Sequence, residues 1–285
     1  MSKTERTSED FFEIINNSTP GSPNGSYQPP AEIAELRAAI LKDYSAQVFY
    51  ESEGQGTPVS YKYASEKALT YYITSGNISK IQAIIQEMNP SKNRYDPAYF
   101  VDIGLLSDNP LQQATSMYVC GITIYTRAAI DGGLPEHMAY ALSDNYIRHG
   151  LRLTNIEELY SIQNCAIYDF TNQVYQYKYR KCGLHVKKCC EYILRHLHEK
   201  ITLEDLSEVT NKSTGYISKK FEDELGMRPT IFIRNQKLEY AAQALKATSV
   251  PVTALSDLLA FPSPSAFIGY FKEKYNMTPL EYRNS

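Results

Sequence analysis

One short stretch of the sequence places hydroxyl, glycine and lysine residues on the same face of a predicted helix. The members of this face are Thr214, Gly215, Ser218 and Lys219. Residues three and four positions apart lie on one side of a helix, so these side chains are expected to point the same way. Lysine can donate hydrogen bonds to O6 and N7 of guanine, and short polar groups can contact base edges or phosphates. Such a face suits contact with a nucleic acid, and a solvated helix face is the alternative.

This face belongs to the second of two short predicted helices. Thr202 is a good N-cap with Asp205 three residues later, and apolar residues follow at helical spacing before a short turn. Ser213 then caps the second helix, and Gly226 ends it. Two short helices joined by a tight turn are typical of a helix-turn-helix motif, here at about residues 202–226.

The same pattern occurs a second time, at about residues 252–276, and a connecting helix is predicted between the two copies. Because a single helix-turn-helix pattern occurs in many helical bundles, the duplication is the more specific signal. The two copies align with Leu255 and Leu258 on Leu203 and Leu206, Ser265 on Ser213, and Phe271 near Phe221.

The segments GYISKKFEDELGMRP and AFPSPSAFIGYFKEKYNMTPLEYR resemble the duplicated DNA-binding domain of the AraC/XylS family of bacterial transcription regulators. The resemblance covers about the last hundred residues. Lys237 stands where the family usually has an arginine in the connecting helix, and Ala260 stands where it usually has a glycine. Gly269 stands at a position that is commonly basic, so the resemblance implies weaker readout by the second motif than by the first.

The resemblance implies a sequence-specific transcription regulator that inserts one recognition helix into each of two successive major grooves, about 34 Å apart. The residues placed at base edges are Thr214, Gly215, Ser218 and Lys219 in the first groove and Ser263, Pro264, Ala266 and Gly269 in the second. The residues expected to hold phosphates are Lys212, Ser213 and Lys272. Double-stranded promoter DNA and RNA polymerase are the expected partners, activation is the expected outcome, and no cofactor or metal is expected.

The charge balance agrees with a DNA-binding C-terminal part only when the chain is divided. The whole chain has a net charge of −3, which is unusual for an isolated DNA-binding domain. From residue 184 onward the net charge is +2, and the first part carries −5. The positive charge is also local, since Lys212, Lys219 and Lys220 surround the first recognition helix and Lys272 and Lys274 lie on the second.

The composition along the chain predicts an all-α protein of three regions. Residues 1–30 are rich in Ser, Pro, Gly and Asn and are expected to form a flexible tail. Residues 31–183 read as a helical dimerisation or effector domain, with the apolar segment 111–130 as its central helix and Arg127 buried within it. Residues 184–285 form the DNA-binding domain. Segment 126–147 resembles the helical domain of AraC/XylS-type regulators from Gram-positive bacteria.

The 24 tyrosines of the chain, which contains no tryptophan, leave two roles open for the helical domain. Tyrosines suit core packing or dimerisation, and they equally suit a small-molecule pocket. Those expected in the helical domain are Tyr71, Tyr72, Tyr118, Tyr125, Tyr140 and Tyr146. We expect a homodimer, and the identity of an effector stays open.

Other functional classes have weaker support in the sequence. No apolar run approaches about 18 residues, so a cytoplasmic protein without a membrane span is expected. Neither HExxH spacing nor a phosphate-binding GxxxxGK[ST] loop occurs, so no enzyme is predicted. The alternatives are a regulator that acts mainly through protein partners, and a DNA-repair methyl acceptor with a similar duplicated motif.

The five cysteines lack the paired spacing of a zinc module, and we expect buried or inert thiols. A redox or metal role for a cluster close in sequence is the alternative. This cluster contains Cys182, His185, Cys189 and Cys190.

Overall fold

The chain folds into helices wherever its structure is described. The computed structural model describes residues 30, 33–42, 59–87 and 106–285, and no strand occurs within these ranges. This confirms the predicted all-α class. The predicted flexible tail lies outside the described residues except for Pro30. The chain divides into two units, Met1–Pro58 and Val59–Ser285. In the first unit, residues 33–42 form helix α1, which is exposed along its length.

The first helices of the second unit form a bundle around one apolar core. They are α2 (Val59–Ser75), α3 (Ile78–Glu87), α4 (Pro110–Asp131), α5 (Glu136–Gly150) and α6 (Ile156–Lys178). Helix α4 packs against α2, α5 and α6, as predicted for the central helix. Its side chains Tyr118 and Ile122 are fully buried, together with Phe170 and Val174 of α6. The Tyr118 hydroxyl donates to the carbonyl of Tyr146 at 2.7 Å, so this buried polar group has a partner.

Local end signals set the bounds of the bundle helices. The Asn109 side chain accepts hydrogen bonds from the first turn of α4, and Gly132 and Gly133 follow its end. Helix α6 is capped by Asn155, whose side chain accepts from the N–H groups of Glu157 and Glu158. Arg127 is exposed, so the prediction of a buried guanidinium was wrong. The reason is that the apolar stripe of α4 does not surround the helix completely, and Arg127 lies on its outer side.

The C-terminal part adds seven helices. They are α7 (Leu184–Arg195), α8 (Leu203–Thr210), α9 (Thr214–Leu225), α10 (Pro229–Ala247), α11 (Val252–Leu258), α12 (Pro264–Tyr275) and α13 (Pro279–Asn284). One core cluster joins α7, α8, α9 and the start of α10, and a second joins the rest of α10 with α11 and α12. The connecting helix α10 therefore contributes to both clusters.

The bundle and the C-terminal helices are in direct contact. The Asn77 side chain, at the start of α3, donates to the carbonyl of Leu194 at 2.8 Å. The hydroxyl of Tyr175 on α6 donates to the carbonyl of Lys187 on α7 at 2.8 Å. These bonds attach helix α7 to two helices of the bundle. The predicted domain boundary after residue 183 stays a prediction.

None of the helices in the described ranges combines the length and the hydropathy that a membrane crossing requires.

Candidate nucleic-acid interface

The first helix pair is built from hydrogen bonds between residues close in sequence. Thr202 and Asp205 form the predicted capping box, with the Thr202 backbone N–H donating to the Asp205 carboxylate at 2.7 Å and the Asp205 N–H returning to Thr202 Oγ1 at 3.2 Å. The Thr202 hydroxyl also donates to this carboxylate, at 2.8 Å, and the bonds from the Thr202 N–H and hydroxyl lower the pKa of Asp205 because they favour its charged form. Asn211 ends α8 in the left-handed conformation with φ 55°. Ser213 then caps α9 by accepting from the Tyr216 N–H at 3.3 Å.

Helix α9, the first recognition helix, buries one face and exposes the other. Ile217 and Phe221 are fully buried against α7, α8 and α10. Of the predicted contact residues, Lys212, Ser213, Gly215 and Lys219 are exposed, and Thr214 and Ser218 are partly exposed. All six therefore lie on or beside the accessible face of one helix. This is the arrangement that reading of a groove requires.

The lysines around the first recognition helix do not have the same environment. Lys220 forms an ion pair with Glu224 at 3.4 Å. Lys219 has no ion-pair partner within the part of the chain that the structure describes. Lys212 lies with its ammonium 6.0 Å from the centre of the Tyr216 ring. Lys212 and Lys219 therefore remain available to a polyanion, whereas Lys220 is partly neutralised by its own helix.

The second helix pair has a turn that is one residue longer. Ala260 takes the left-handed conformation that Asn211 takes in the first pair, with φ 49°. Two residues lie between Ala260 and the cap Ser263, whereas a single residue lies between Asn211 and the cap Ser213. The Ser263 side chain accepts from the Ala266 N–H at 3.1 Å. Ser263 is thus the counterpart of Ser213, and the predicted alignment of Ser265 on Ser213 was wrong. A cap is defined by its bond to the N–H three residues later, and Ser263 makes this bond.

The buried leucines of α11 differ from the predicted alignment in the same way. Leu255 and Leu259 are buried, and Leu258 is 45% exposed. Leu255 lies five residues before the left-handed Ala260, as Leu206 lies five residues before Asn211. Leu255 is therefore the counterpart of Leu206.

Helix α12, the second recognition helix, repeats the buried face of α9 but not its exposed face. Phe267 and Phe271 are fully buried at the same distances from the cap as Ile217 and Phe221. Of the predicted contact residues on α12, Ser263, Gly269 and Lys272 are exposed, and Pro264 and Ala266 are partly exposed. In the register set by the caps, Gly269 occupies the position of Lys219, and Ile268, 36% exposed, that of Ser218. The second recognition helix therefore offers fewer donors to a groove.

Comparisons with known proteins agree with this geometry. The sequence model of a helix-turn-helix domain matches residues 206–285. An uncharacterized HTH-type transcriptional regulator of Staphylococcus aureus (strain MSSA476) is 34% identical over 98 residues, which are 34% of this chain and 13% of that protein. The uncharacterized HTH-type transcriptional regulator YobQ of Bacillus subtilis (strain 168) is 31% identical over 110 residues, 39% of this chain and 46% of that protein. The chain thus matches less than half the length of either relative.

The C-terminal region is an AraC-type helix-turn-helix domain. The resemblance predicted from the sequence is confirmed for this part of the chain. Among solved structures, the C-terminal domain of AraT, a response regulator from Geobacillus stearothermophilus, is 26% identical and covers 36% of this chain and 87% of that chain, with a TM-score of 0.35. The C-terminal domain of the two-component response regulator yesN from Fusobacterium nucleatum is 27% identical. The match covers 33% of this chain and 93% of that chain, with a TM-score of 0.32.

The two halves of the AraC-type domain are joined by a buried lysine of the connecting helix. Lys237 is 5% exposed, and its Nζ donates to the carbonyls of Glu199 and Leu259, each at 2.7 Å. The first carbonyl precedes α8 and the second ends α11, so one ammonium group contacts both helix pairs. Burial lowers the pKa of Lys237 to about 8. Sequence reasoning identified this position, and the structure shows the two contacts that it makes.

The connecting helix also holds the second recognition helix through contacts that the sequence analysis missed. The Arg234 guanidinium lies 4.5 Å from the centre of the Tyr270 ring and 3.8 Å from the Glu273 carboxylate. Lys274 Nζ lies 2.9 Å from the Glu239 carboxylate, so this lysine serves the interior and not the exposed face. The partners are 35 or more residues apart in the chain, so no local sequence pattern indicates these contacts.

The three cysteines of the cluster are free and buried. Across the described ranges, no group of three or more His, Cys, Asp or Glu side chains is arranged to hold a metal ion. Cys189 and Cys190 are fully buried, and burial raises the pKa of Cys189 to about 11. Cys189 and Cys190 are core side chains. Cys182 is buried as well, whereas Cys120 and Cys165 are exposed, so burial accounts for three of the five thiols that were expected to be buried or inert.

Proposed function

We propose that the chain is a sequence-specific DNA-binding regulator of transcription whose two recognition helices enter successive major grooves of one duplex. The observation that supports the proposal most directly is the pair of exposed recognition helices, each capped by a serine and anchored by two buried side chains at equal spacing. Both are attached to one connecting helix. A rigid connection of this kind suits two grooves on the same side of DNA.

The length of the connecting helix is compatible with this geometry. Helix α10 has 19 residues, and at a rise of about 1.5 Å per residue it spans roughly 28 Å. Successive major grooves on one side of B-DNA are about 34 Å apart, a distance of the same order as the length of α10. The Lys237 contacts at both helix pairs favour one fixed separation. Half-sites one helical turn apart are the expected consequence.

The residues of the first recognition helix are proposed to provide most of the sequence readout. Lys219 is our strongest candidate for donation to guanine O6 and N7, with Thr214, Gly215 and Ser218 at neighbouring base edges. Lys212 and Ser213 are placed at the phosphates that flank this groove. Contacts to phosphate fix the register of the protein without carrying sequence information.

The second recognition helix is proposed to read its groove mainly by shape and apolar contact. Pro264 and Ala266 can pack on thymine methyl groups, and Ser263 can donate to a base edge or a phosphate. Gly269 allows close approach but contributes no donor. Lys272 is placed at a phosphate. The second half-site is therefore expected to be the less strictly defined one.

The wider partners of the protein belong to the same proposal. We propose promoter DNA as the ligand, a homodimer paired through residues 31–183, and RNA polymerase as the target, with activation as the outcome. A monomeric mass in analytical ultracentrifugation at micromolar concentration would contradict the dimer. A promoter fusion whose expression rises when the chain is deleted would contradict activation.

A second candidate function is regulation mainly through protein partners. The observation that favours it is the exposed face of α12, where Ile268 and Gly269 stand at the positions of Ser218 and Lys219. An exposed apolar side chain on a recognition helix is better suited to a protein surface than to a phosphate backbone.

The test is selection of duplexes that the full chain binds from a random pool, followed by sequencing, at two salt concentrations. Two enriched half-sites about one helical turn apart support the proposal. One enriched half-site supports reading by the first helix pair alone. Absence of enrichment at both salt concentrations contradicts direct DNA reading and favours the protein-partner function.

A further inference from the structure

Glu222 places a negative charge on the exposed face of the first recognition helix. It lies four positions after Ser218 and three positions after Lys219, so the three side chains share one face of α9. Its side chain is 51% exposed. This face therefore carries an anion beside the cation of Lys219. The proposed readout of guanine by Lys219 gives the anion no role.

The corresponding position of the second recognition helix carries the opposite charge. Glu222 lies nine residues after the cap Ser213, and Lys272 lies nine residues after the cap Ser263. Both side chains are exposed. A lysine at this position can hold a phosphate, whereas a carboxylate repels phosphates and the acceptor edges of guanine and thymine. The two helices therefore cannot make the same contact at this position.

The stability of helix α9 does not account for an acid at this position. Glu222, Asp223 and Glu224 lie in the last turn of the helix, which contains no basic residue. The C-terminal end of a helix carries a partial negative charge, so carboxylates there are unfavourable. Glu224 has a structural role, because it accepts from the Gly183 N–H at 2.7 Å and pairs with Lys220 at 3.4 Å. Glu222 takes no part in these contacts.

Arg228 holds the Glu222 carboxylate beyond the end of the helix. The Arg228 Nε donates to Oε1 of Glu222 at 2.9 Å. The second oxygen, Oε2, accepts no hydrogen bond from any residue that the structure describes. A carboxylate can accept at both oxygens, so one acceptor remains available. Because the ion pair is exposed, it contributes little stability and mainly restricts where this acceptor points.

Cytosine is the base that best complements a carboxylate in the major groove. It presents the N4 amino group as a donor, and glutamate can accept from this group. Adenine also presents an amino group, but its N7 acceptor lies beside that donor and repels a carboxylate. Guanine and thymine present the acceptors O6 and O4 instead. A free carboxylate oxygen on a recognition helix therefore favours cytosine.

We propose that Glu222 reads a cytosine of the first half-site by accepting a hydrogen bond from its N4 amino group, with Arg228 as the positioning residue. The assignment rests on the proposed function, in which the exposed face of α9 enters a major groove. Residues three positions apart on a helix have Cβ atoms about 5–6 Å apart, which is the height of about one to two base pairs. The cytosine should therefore lie within about two base pairs of the guanine that Lys219 reads. On guanine or thymine the same carboxylate meets acceptors and weakens binding.

Duplex selection from a random pool tests the assignment by comparing the natural chain with Glu222→Gln. A glutamine amide can bond to both N6 and N7 of adenine. We expect one position of the first half-site to lose its preference for cytosine, with adenine as the replacement. The matched control is Asp223→Asn, which removes the same charge from the same exposed turn and should keep the cytosine. A retained cytosine preference in Glu222→Gln, or the same loss in Asp223→Asn, would overturn the proposal.

Exchange of one base pair tests the hydrogen bond itself. Uracil paired with adenine in place of that cytosine replaces the N4 donor by an O4 acceptor and adds no methyl group. In competition binding, the natural chain should bind the uracil duplex about tenfold more weakly than the cytosine duplex. Glu222→Gln should show less than about a threefold difference, because its amide can both donate and accept. Equal losses in the two chains would overturn the contact.

Arg228→Gln tests the positioning role. This variant keeps the carboxylate and removes the group that restrains it. We expect cytosine to remain the preferred base, with the cytosine-to-uracil affinity ratio lowered about threefold. Loss of a phosphate contact by Arg228 would weaken both duplexes alike. An unchanged ratio would therefore overturn the positioning role.

Selection with the natural chain separates a failure of this contact from a failure of the proposed function. Absence of any enriched sequence contradicts DNA reading and the role of Glu222 together. An enriched first half-site without a cytosine within about two base pairs of its guanine contradicts the role of Glu222 alone.

Discussion

The two helix pairs of the AraC-type domain are alike inside and different outside. Both recognition helices bury side chains four and eight residues after a serine cap, Ile217 and Phe221 in one and Phe267 and Phe271 in the other. On the exposed faces, Lys219 corresponds to Gly269. The spacing of the buried side chains therefore maintains the helix-turn-helix fold in both pairs. The exposed side chains can differ without disturbing this fold, and they determine what each helix contacts.

The two pairs also differ in what supports them. The first shares its core cluster with Tyr175 and Tyr179 from the end of the bundle. The second has its own cluster with the later part of α10, reinforced by the Arg234 and Lys274 contacts. A change in the first pair is therefore expected to reach the bundle, and a change in the second to stay local.

Truncation of the buried phenylalanines should give the largest effects and should separate the two pairs. Phe221→Ala and Phe271→Ala are each expected to lower the free energy of unfolding by about 3–5 kcal/mol, because each leaves a cavity in a closed core. Hydrogen exchange should show faster exchange in α6 and α7 for Phe221→Ala only. Equal loss of protection in the bundle for both variants would contradict separate support.

Removal of the lysine that joins the two pairs should have the next largest effect. Lys237→Met leaves the buried carbonyls of Glu199 and Leu259 without their donor and is expected to cost about 2–3 kcal/mol in urea unfolding. Lys237→Arg is the control, since a guanidinium can donate to both carbonyls. A loss in Lys237→Arg equal to that in Lys237→Met would indicate that the size of the side chain matters more than the hydrogen bonds.

The difference in stability between the natural chain and Lys237→Met is expected to depend on pH. The pKa of Lys237 is about 8 in the folded chain against an ordinary value of 10.5, so the unfolded chain binds more protons between these values. The stability of the natural chain relative to Lys237→Met should therefore rise from pH 8 to pH 10.5 and level off below pH 8. The difference between the two chains cancels the ionisation of the many tyrosines. A difference that stays constant across this window would contradict the lowered pKa.

Loss of the exposed lysine of the first recognition helix should reduce discrimination between DNA sequences. Lys219→Ala is expected to lower the ratio of specific to non-specific affinity about tenfold, because a contact to guanine contributes about 1–3 kcal/mol. Lys220→Ala removes a lysine paired with Glu224 and is the matched control, with little change expected. Competition binding measures both ratios. Unchanged discrimination in Lys219→Ala would remove this residue from base readout.

A lysine at the corresponding position of the second recognition helix should make the DNA contacts of the two helix pairs more alike. Gly269→Lys replaces a mid-helix glycine at a position where an added Cβ meets no atom within 4 Å. The substitution should stabilise the chain by about 0.5–1 kcal/mol and should strengthen binding to DNA at low salt. Gly269→Ala has the helix effect without the charge. Equal DNA affinity of the two variants would place position 269 away from the duplex.

The smallest effect is expected in the turns. Ala260 has φ 49°, where a Cβ costs energy, so Ala260→Gly should stabilise the chain by about 0.5–1 kcal/mol. Asn211 has φ 55°, and asparagine tolerates this conformation, so Asn211→Gly should change stability by only a few tenths of a kcal/mol. Thermal unfolding compares them, and equal shifts would contradict the difference between the turns.

The sequence alone predicted several of the features that bonds between near neighbours decide. The capping box of Thr202 and Asp205, the cap Ser213 and the left-handed Gly226 were all predicted, since each depends on residues within about four positions. The duplicated apolar spacing likewise predicted both helix pairs, and the resemblance of the two segments to AraC/XylS regulators indicated the type of the C-terminal domain. The proposed base contacts remain predictions.

Only the tertiary structure decided the features that depend on distant partners. The longer second turn moved the cap to Ser263, because packing of Leu255 and Phe267 in one core sets the path between them. The two carbonyls that Lys237 contacts lie 38 and 22 residues from it in the chain. Packing of α2 against α10 places the Tyr71 and Tyr240 rings 5.4 Å apart between centres, a contact that no sequence spacing indicates. Local patterns specify how a segment folds, and the contacts between segments determine which side chains stay free to act.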